Sequence, residues 1–308
     1  MRHKPVGEHV KGGAVGLTAV FLLFCLLFAI PNPLRALLLD WSAAGSQVGG
    51  EYGYAVASCD VNHDGYDDLI VGAPRFDNGQ TRGGAAFMFY GSAAGLSNQP
   101  NWSAGSDLTG ARYGFAMAAA GDINGDTFGD VLIGAYRSND GQPEEGRAYL
   151  YLGSAQGLSA DAAWTFESNQ KEAQLGYSLA GGGDVNGDGF DDVLLGARWY
   201  SSTLTNEGAA FLFLGSATGL GDTPNWTAVG GQANAAFGTA VAFAGDVNAD
   251  GYDDVVVGAP YYDGALTNEG AVFLFLGGSD GPEDTAGQTI SGGQTNSLFG
   301  AAITAADF

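Results

Sequence analysis

The chain has 308 residues, a formal net charge of −23 and 52 glycines. Such acidity excludes the basic face that a phosphate binder needs, so nucleic acid is not an expected partner, and an anionic membrane surface is disfavoured for the same reason. A hydrophobic fraction of 45% excludes a disordered acidic tail, and the abundance of glycine favours short strands and tight turns over helices.

Residues 1–36 read as a signal peptide or an N-terminal membrane anchor. Arg2, His3, Lys4 and Lys11 precede the apolar run "AVGLTAVFLLFCLLFAI" (Ala14 to Ile30), and Pro31 and Pro33 follow. A basic start before an apolar segment of this length is an export signal, cleaved or retained. Ala29 and Ala36 could each end a leader, but Leu27 and Leu34 stand where a small residue is preferred. Either reading places the rest of the chain outside the cytoplasm, with a retained anchor as its one expected attachment to a membrane. Cys25 lacks the small preceding residue of a lipoprotein signal, and Cys59 is the single cysteine beyond the leader, so no internal disulfide is expected.

From residue 37 onward the chain repeats. Asp60, Asp122, Asp184 and Asp246 each open an acidic stretch, 62 residues apart. A residue pair ending in Gly keeps step, as "YG" at Tyr52 and Tyr113, "LG" at Leu175 and "FG" at Phe237 and Phe299. Trp41, Trp102, Trp164 and Trp226 each precede such a pair by eleven residues. The units are 52–112, 113–174, 175–236 and 237–298. Residues 37–51 read as a lone closing outer strand, and 299–308 as the start of a fifth unit that stops at the second residue of its acidic loop. The chain therefore reads as a truncated piece of a longer protein, with a natural short protein as the other reading. Each unit holds four apolar or aromatic runs bounded by Gly, Asn, Asp and Pro. Examples are "FGTAVAFAGDV", "DDVVVGAP", "GAVFLFLG" and, from an earlier unit, "NWTAVGG". Four antiparallel strands per unit, repeated radially, predict an all-β chain with the architecture of a β-propeller.

The acidic loops carry the chemistry. Side-chain oxygens stand at the first, third, fifth and ninth positions, and the seventh would offer a backbone carbonyl. The four sets are Asp60, Asn62, Asp64, Tyr66 and Asp68; Asp122, Asn124, Asp126, Phe128 and Asp130; Asp184, Asn186, Asp188, Phe190 and Asp192; Asp246, Asn248, Asp250, Tyr252 and Asp254. This is the donor spacing of an EF-hand loop without its helices or its final Glu. Hard oxygen donors with no Cys or repeated His favour Ca²⁺, about one ion per complete unit. A solvated Asp-rich turn explains one such copy but does not demand acids at fixed places in four. The second loop departs from the rest. Thr127 replaces a turn glycine and Gly129 replaces an Asp, so this site is expected to be the weakest. Asp67, Asp191 and Asp253, at the eighth position, are expected to face away from the ion, adding field or capping local amides.

The order aromatic-Gly, then "D-x-N-x-D-G-x-x-D", then "GAP" resembles the FG-GAP repeat of integrin α-subunit propellers. "GAP" stands at Gly72 and Gly258 and becomes "GAY" at Gly134 and "GAR" at Gly196. The resemblance covers residues 37–308. It implies a partial ring of a seven-bladed propeller, Ca²⁺ in the acidic loops, and partners on the opposite face. On that face it places the connections carrying Arg75, Arg82, Arg137, Arg198, Trp199, Tyr200, Tyr261 and Tyr262. Arginine beside aromatics suits a ligand-binding surface for a protein or glycan, and equally suits loops packing on the next blade. An enzyme is disfavoured. Beyond the leader the only His is His63, in an acidic loop, and the only Lys is Lys171, leaving no base for a Ser-His-Asp or Cys-His arrangement. An extracellular adhesion or ligand-binding module is the favoured reading. A non-catalytic segment of a larger secreted enzyme and a structural spacer remain open beside it. "NWS" at Asn101 and "NWT" at Asn225 match the glycosylation pattern, although each Trp already belongs to the repeat.

Overall fold

The computed structural model describes residues 41–304, of which 43–304 belong to one compact unit. The leader, residues 37–40 and Asp307 lie outside the described residues. The described chain is all-β, with sixteen strands in four antiparallel sheets. The first sheet is β1 (Val56–Cys59), β2 (Asp68–Ala73), β3 (Ala85–Phe89) and β4 (Trp102–Gly105). The second is β5 (Ala116–Gly121), β6 (Asp130–Ala135), β7 (Arg147–Tyr151) and β8 (Trp164–Glu167). The third is β9 (Leu175–Gly183), β10 (Asp192–Ala197), β11 (Ala209–Phe213) and β12 (Trp226–Val229). The fourth is β13 (Ala240–Gly245), β14 (Asp254–Ala259), β15 (Ala271–Phe275) and β16 (Gln288–Ser291). Each sheet pairs its strands in sequence order. The first strands of successive sheets, β1, β5, β9 and β13, lie side by side. Four such blades around their inner strands are a partial β-propeller.

The apolar runs explain the packing. Strands β6 and β10, "DVLIGA" and "DVLLGA", are buried along their whole length because each sheet face meets a neighbouring blade. Leu132, Leu150, Leu195 and Phe213 belong to one core between blades, and Leu194, Leu212, Phe237 and Val257 to the next. Strands near the outer edge alternate instead, as in the half-buried, exposed pattern of β4. On the first blade Tyr54 and Val56 are exposed, and on the last Ile290 and Phe299 are.

The two glycine marks of the repeat meet each other. A Cβ on Gly72, Gly134, Gly196 or Gly258 would overlap the carbonyl oxygen of Gly114, Gly176, Gly238 or Gly300 in the following unit. The aromatic or Leu before that second glycine forms a parallel bridge to the unit before it, at Gly84–Tyr113, Gly146–Leu175, Gly208–Phe237 and Gly270–Phe299. Gly114 and Gly238 both have positive φ (80° in each). In these two blades the first strand starts at Ala116 and Ala240, later than the sequence suggests, whereas β9 starts at Leu175 although Gly176 also has positive φ (76°).

The repeated tryptophans join blades as well. Trp102, Trp164 and Trp226 donate their indole N–H to the carbonyls of Ser159, Gly221 and Glu283, all 57 residues on. Their rings pack edge-on against Tyr151, Phe213 and Phe275 of the next blade, with centroids 5.0, 4.8 and 5.0 Å apart. Replacing Trp164 by Phe keeps much of the packing and deletes the hydrogen bond, so a loss of about 1–2 kcal/mol is expected in chemical denaturation. No loss would show that the indole N–H contributes nothing.

Residues 41–51 contain no strand: 46–50 are turns and bends, and 41–45 and 51 are irregular. No neighbouring strand of the described residues pairs with them. Even so, Gly50 keeps the role of its counterparts. Its carbonyl accepts the N–H of Arg75, as Ala111, Ala173 and Ala235 accept those of Arg137, Trp199 and Tyr261.

Candidate functional site

The acidic loops connect the first and second strands of each blade. Their turn needs left-handed backbone at two places. The fourth position has positive φ at His63 (56°), Gly125 (73°), Gly187 (70°) and Ala249 (62°). The sixth has it at Gly65 (87°), Thr127 (74°), Gly189 (87°) and Gly251 (94°). Thr127 is thus a β-branched residue in a region that strains it. Only the third loop has glycine at both places. Thr127→Gly should stabilise the protein by about 0.5–1 kcal/mol, the relief of strain exceeding the entropy added to the unfolded chain. A destabilised variant in urea unfolding would contradict this.

Within each loop the side chains wrap the backbone in the same way. Asp184 Oδ1 and Asn186 Oδ1 both accept the N–H of Asp188, at 3.1 Å each. Asp184 Oδ2 accepts from Gly189 at 2.9 Å, and Asp188 Oδ1 accepts from Phe190 at 3.0 Å. The matching bonds recur around Asp60, Asn62 and Asp64, around Asp122, Asn124 and Asp126, and around Asp246, Asn248 and Asp250. The first and third side chains therefore share the N–H of the fifth residue, and the fifth side chain takes that of the seventh.

The ninth position behaves differently. Asp68, Asp130, Asp192 and Asp254 are buried, with no more than 1% of their surface exposed. Each uses both oxygens. Asp192 accepts the N–H of Val185 on one and of Gly215 on the other, both at 2.9 Å. Asp68, Asp130 and Asp254 do the same with Val61 and Gly91, Ile123 and Gly153, and Val247 and Gly277. This aspartate ties the acidic loop to the end of the third strand.

Burial raises the carboxyls of Asp130 and Asp192 to about 7, partly offset by their backbone hydrogen bonds. The aspartates at the first and fifth positions push them further up, and Asp68 is raised by the same causes. Three carboxylates thus repel one another in each of these loops. The ion pairs of the described residues involve Arg75, Arg137, Arg147 and Lys171, and none reaches an acidic loop.

Among the described residues no three acidic, His or Cys side chains converge as a ready-made ligand set. The expected convergence of the first, fifth and ninth side chains is not what the geometry shows, because their oxygens are taken up by peptide N–H groups. The donor set still fits a hard cation. It contains oxygen alone, and among the described residues its like charges have no basic partner. Rotation of the first, third and fifth side chains would turn their remaining lone pairs toward an ion.

The eighth and seventh positions link successive loops. Asp191 Oδ2 accepts the N–H of Asp122 at 2.6 Å while its own N–H reaches the Asp122 carbonyl. Asp253 and Asp184 repeat the exchange. These aspartates do cap amides, but on the preceding blade. Gly129 keeps only the backbone half, donating to the Asp60 carbonyl at 3.0 Å. The aromatic at the seventh position leans on the fourth position of the preceding loop, Phe190 against Gly125 and Tyr252 against Gly187. Cys59 is half-buried beside this cluster, and burial followed by nearby acids pushes its thiol up to about 12, so it is an inert residue. Asn101 and Asn225 accept the N–H of Tyr90 and Leu214, both at 3.0 Å, which gives these asparagines a structural use.

On the opposite face the connections between second and third strands are held by buried glutamates that sequence reasoning passed over. Glu207 Oε1 accepts the N–H groups of Ser202, Thr203 and Leu204 and the Ser202 hydroxyl. Burial opposes its charge, but these bonds win and hold its carboxyl below the ordinary value. Glu145 and Glu269 are its counterparts. The signal was an "EG" pair recurring at 62-residue spacing before Gly146, Gly208 and Gly270.

The candidate ligand residues divide. Tyr200 and Tyr262 turn inward onto Phe211 and Phe273 and pack against the blade cores, so they serve the fold. Arg75 pairs with Glu51 at 2.8 Å, Arg137 with Glu144, and Arg82 is exposed. Arg198 lies over the Tyr177 ring at 3.7 Å and donates to Gln174 at 2.8 Å. Trp199 and Tyr261, from adjacent blades, have rings 6.0 Å apart and 17° from parallel.

Radially arranged four-stranded blades with an acidic loop on one face define a β-propeller protein. The FG-GAP repeat family matches at residues 52–87, 113–151, 175–213 and 237–275, one match per blade. The chain is an FG-GAP repeat protein, integrin-like in its repeats. It is similar to integrin alpha-8 of Gallus gallus, with 32% identity over 164 residues, 50% of this chain and 15% of that protein. Integrin alpha-4 of Xenopus laevis is 33% identical over 171 residues, 53% of this chain and 16% of that protein. Integrin alpha-5 of Xenopus laevis is 28% identical over 197 residues, 60% of this chain and 18% of that protein. The chain thus spans less than a fifth of the length of these relatives. Among the described residues no helix is long and apolar enough to cross a membrane.

Proposed function

We propose that this chain is an extracellular, non-catalytic, Ca²⁺-stabilised propeller module that binds a protein or glycan through the face opposite its acidic loops. One observation carries the reading: the same oxygen-only loop recurs in four blades, and among the described residues its clustered negative charge has no basic partner. Asp60, Asp122, Asp184 and Asp246, with their Asn and Asp partners, would hold the ions. Bound Ca²⁺ supplies positive charge that cancels repulsion and fixes the turn between the first two strands. The chain itself provides the rest, bracing each loop through its ninth-position aspartate and chaining loops through the eighth. The opposite face gathers Arg75, Arg82, Arg137, Arg198, Trp199 and Tyr261, a composition suited to recognition.

The test is surface binding of the chain to a panel of extracellular-matrix proteins and oligosaccharides in Ca²⁺. At least one should be retained. The double variant Arg82→Ala/Arg137→Ala or the single variant Tyr261→Ala should lose it, while Gln99→Ala, on the acidic-loop side, should not. Retention of nothing, or binding indifferent to every opposite-face substitution, would refute the proposal.

A further inference from the structure

On the face opposite the acidic loops, the β6–β7, β10–β11 and β14–β15 connections, with the β8–β9 and β12–β13 connections between them, line an open cleft of about 510 Å³. This lies within the roughly 300–1,000 Å³ typical of small-ligand sites. Its aromatic wall is the Trp199–Tyr261 pair, nearly parallel and drawn from two blades, with Tyr261 39% exposed. Its polar wall is made of amides. Asn206 Nδ2 donates to Asn234 Oδ1 at 3.2 Å, and Asn268 repeats the contact with Asn296 at 3.1 Å. An amide in such a pair retains a second N–H and further acceptor capacity.

The charges of the cleft are already balanced. Glu144 is paired with Arg137 and also accepts from Gln174 Nε2 at 2.9 Å. Glu172 is paired with Lys171 at 3.2 Å. Arg198 is engaged by Gln174 and by the Tyr177 ring. A strongly charged ligand would find no uncompensated opposite charge here. A ligand with a flat, weakly polar face and many hydroxyls would find a stacking platform beside fixed donors and acceptors.

We infer that this cleft binds a neutral carbohydrate, whose sugar face stacks on Trp199 and Tyr261 and whose hydroxyls bond to Asn206, Asn234 and Glu144. The inference rests on the reading of this face as the ligand-binding surface and assigns that surface its ligand class. It differs from a peptide site in needing the aromatic pair and the amides together.

The experiment is calorimetric titration of the 308-residue chain with neutral oligosaccharides built from glucose, mannose, galactose, xylose or N-acetylglucosamine. At least one should bind. Trp199→Ala and Tyr261→Ala should each weaken it by about tenfold or more, and Asn234→Ala should weaken it without removing the platform. Gln99→Ala should bind as the parent does. Thermal melts separate misfolding from lost recognition, and Tyr261→Ala, at an exposed ring, is the variant least exposed to that ambiguity. Failure of every oligosaccharide, or binding that survives both aromatic substitutions, overturns the inference. Binding of an oligolysine peptide in place of sugars, lost in Tyr261→Ala, overturns it in favour of a basic protein partner. If the matrix-protein panel binds in an arginine-dependent way while no sugar does, the carbohydrate assignment falls and the ligand-face reading stands. If neither binds, both fall.

Discussion

Chelation is expected to lower the melting temperature of this protein by more than about 10 °C, and added Ca²⁺ to restore it. Each site at a hundredfold excess of ion over its dissociation constant adds about 2.7 kcal/mol, and a chain of this size shifts by roughly 2–4 °C per kcal/mol. The pH dependence should also change sign. Without metal, Asp130 and Asp192 have folded values raised to about 7, so the folded state holds their protons more tightly than the unfolded state. That contribution is complete below the ordinary carboxyl value near 4 and is lost as pH rises toward about 7. In chelator, then, stability should fall across this window. With Ca²⁺ it should rise, because the ion selects ionised ligands and releases their protons. Glu207 acts separately: its lowered value gives stability that is present above the ordinary range and lost as pH falls below it. Melts between pH 4 and 8 with and without chelator read both slopes, and identical curves would remove Ca²⁺ from the account.

Asp192→Ala should be the most damaging single change in the acidic loops, at roughly 2–5 kcal/mol. It leaves the N–H groups of Val185 and Gly215 without their acceptor in a buried setting, each worth about 1–3 kcal/mol. Asp184→Ala removes a side chain that is only half-buried, and should cost less in chelator. The two costs should converge in Ca²⁺, where both residues also serve the ion. Asp122→Ala should then cost less than Asp184→Ala, since Thr127 already strains the second loop. Equal losses for Asp192→Ala and Asp184→Ala in chelator would mean that the buried brace is no stronger than the exposed turn.

Much of this was readable from residues. The 62-residue period placed four units, and the apolar runs after each acidic loop became β2, β6, β10 and β14. Thr127 was flagged from its place in the turn and does sit at positive φ. What the sequence hid is which partner a repeated residue serves. Periodicity shows that Trp164 matters once per unit, but not that its N–H crosses to Gly221 on the next blade. The same holds for Asp191 reaching Asp122 and for Phe190 lying on Gly125. Each is a contact between units, and a repeat read within one unit cannot reveal it. Burial was also out of reach. Asp68, Asp130, Asp192 and Asp254 read as ligands like the rest, and nothing in their spacing showed that they are also buried with both oxygens bonded to backbone. The inward turn of Tyr200 and Tyr262, beside the outward Tyr261, follows from the turns after β10 and β14, which composition does not fix.

The measurement closest to the central claim is the Ca²⁺ content of the chain, by calorimetric titration after chelator and desalting. One ion per acidic loop is predicted, with the second loop filling last. The variant carrying Asp60→Ala, Asp122→Ala, Asp184→Ala and Asp246→Ala should take up none. A parent chain that binds no Ca²⁺ at millimolar concentration, or a variant that binds as the parent does, would contradict the account.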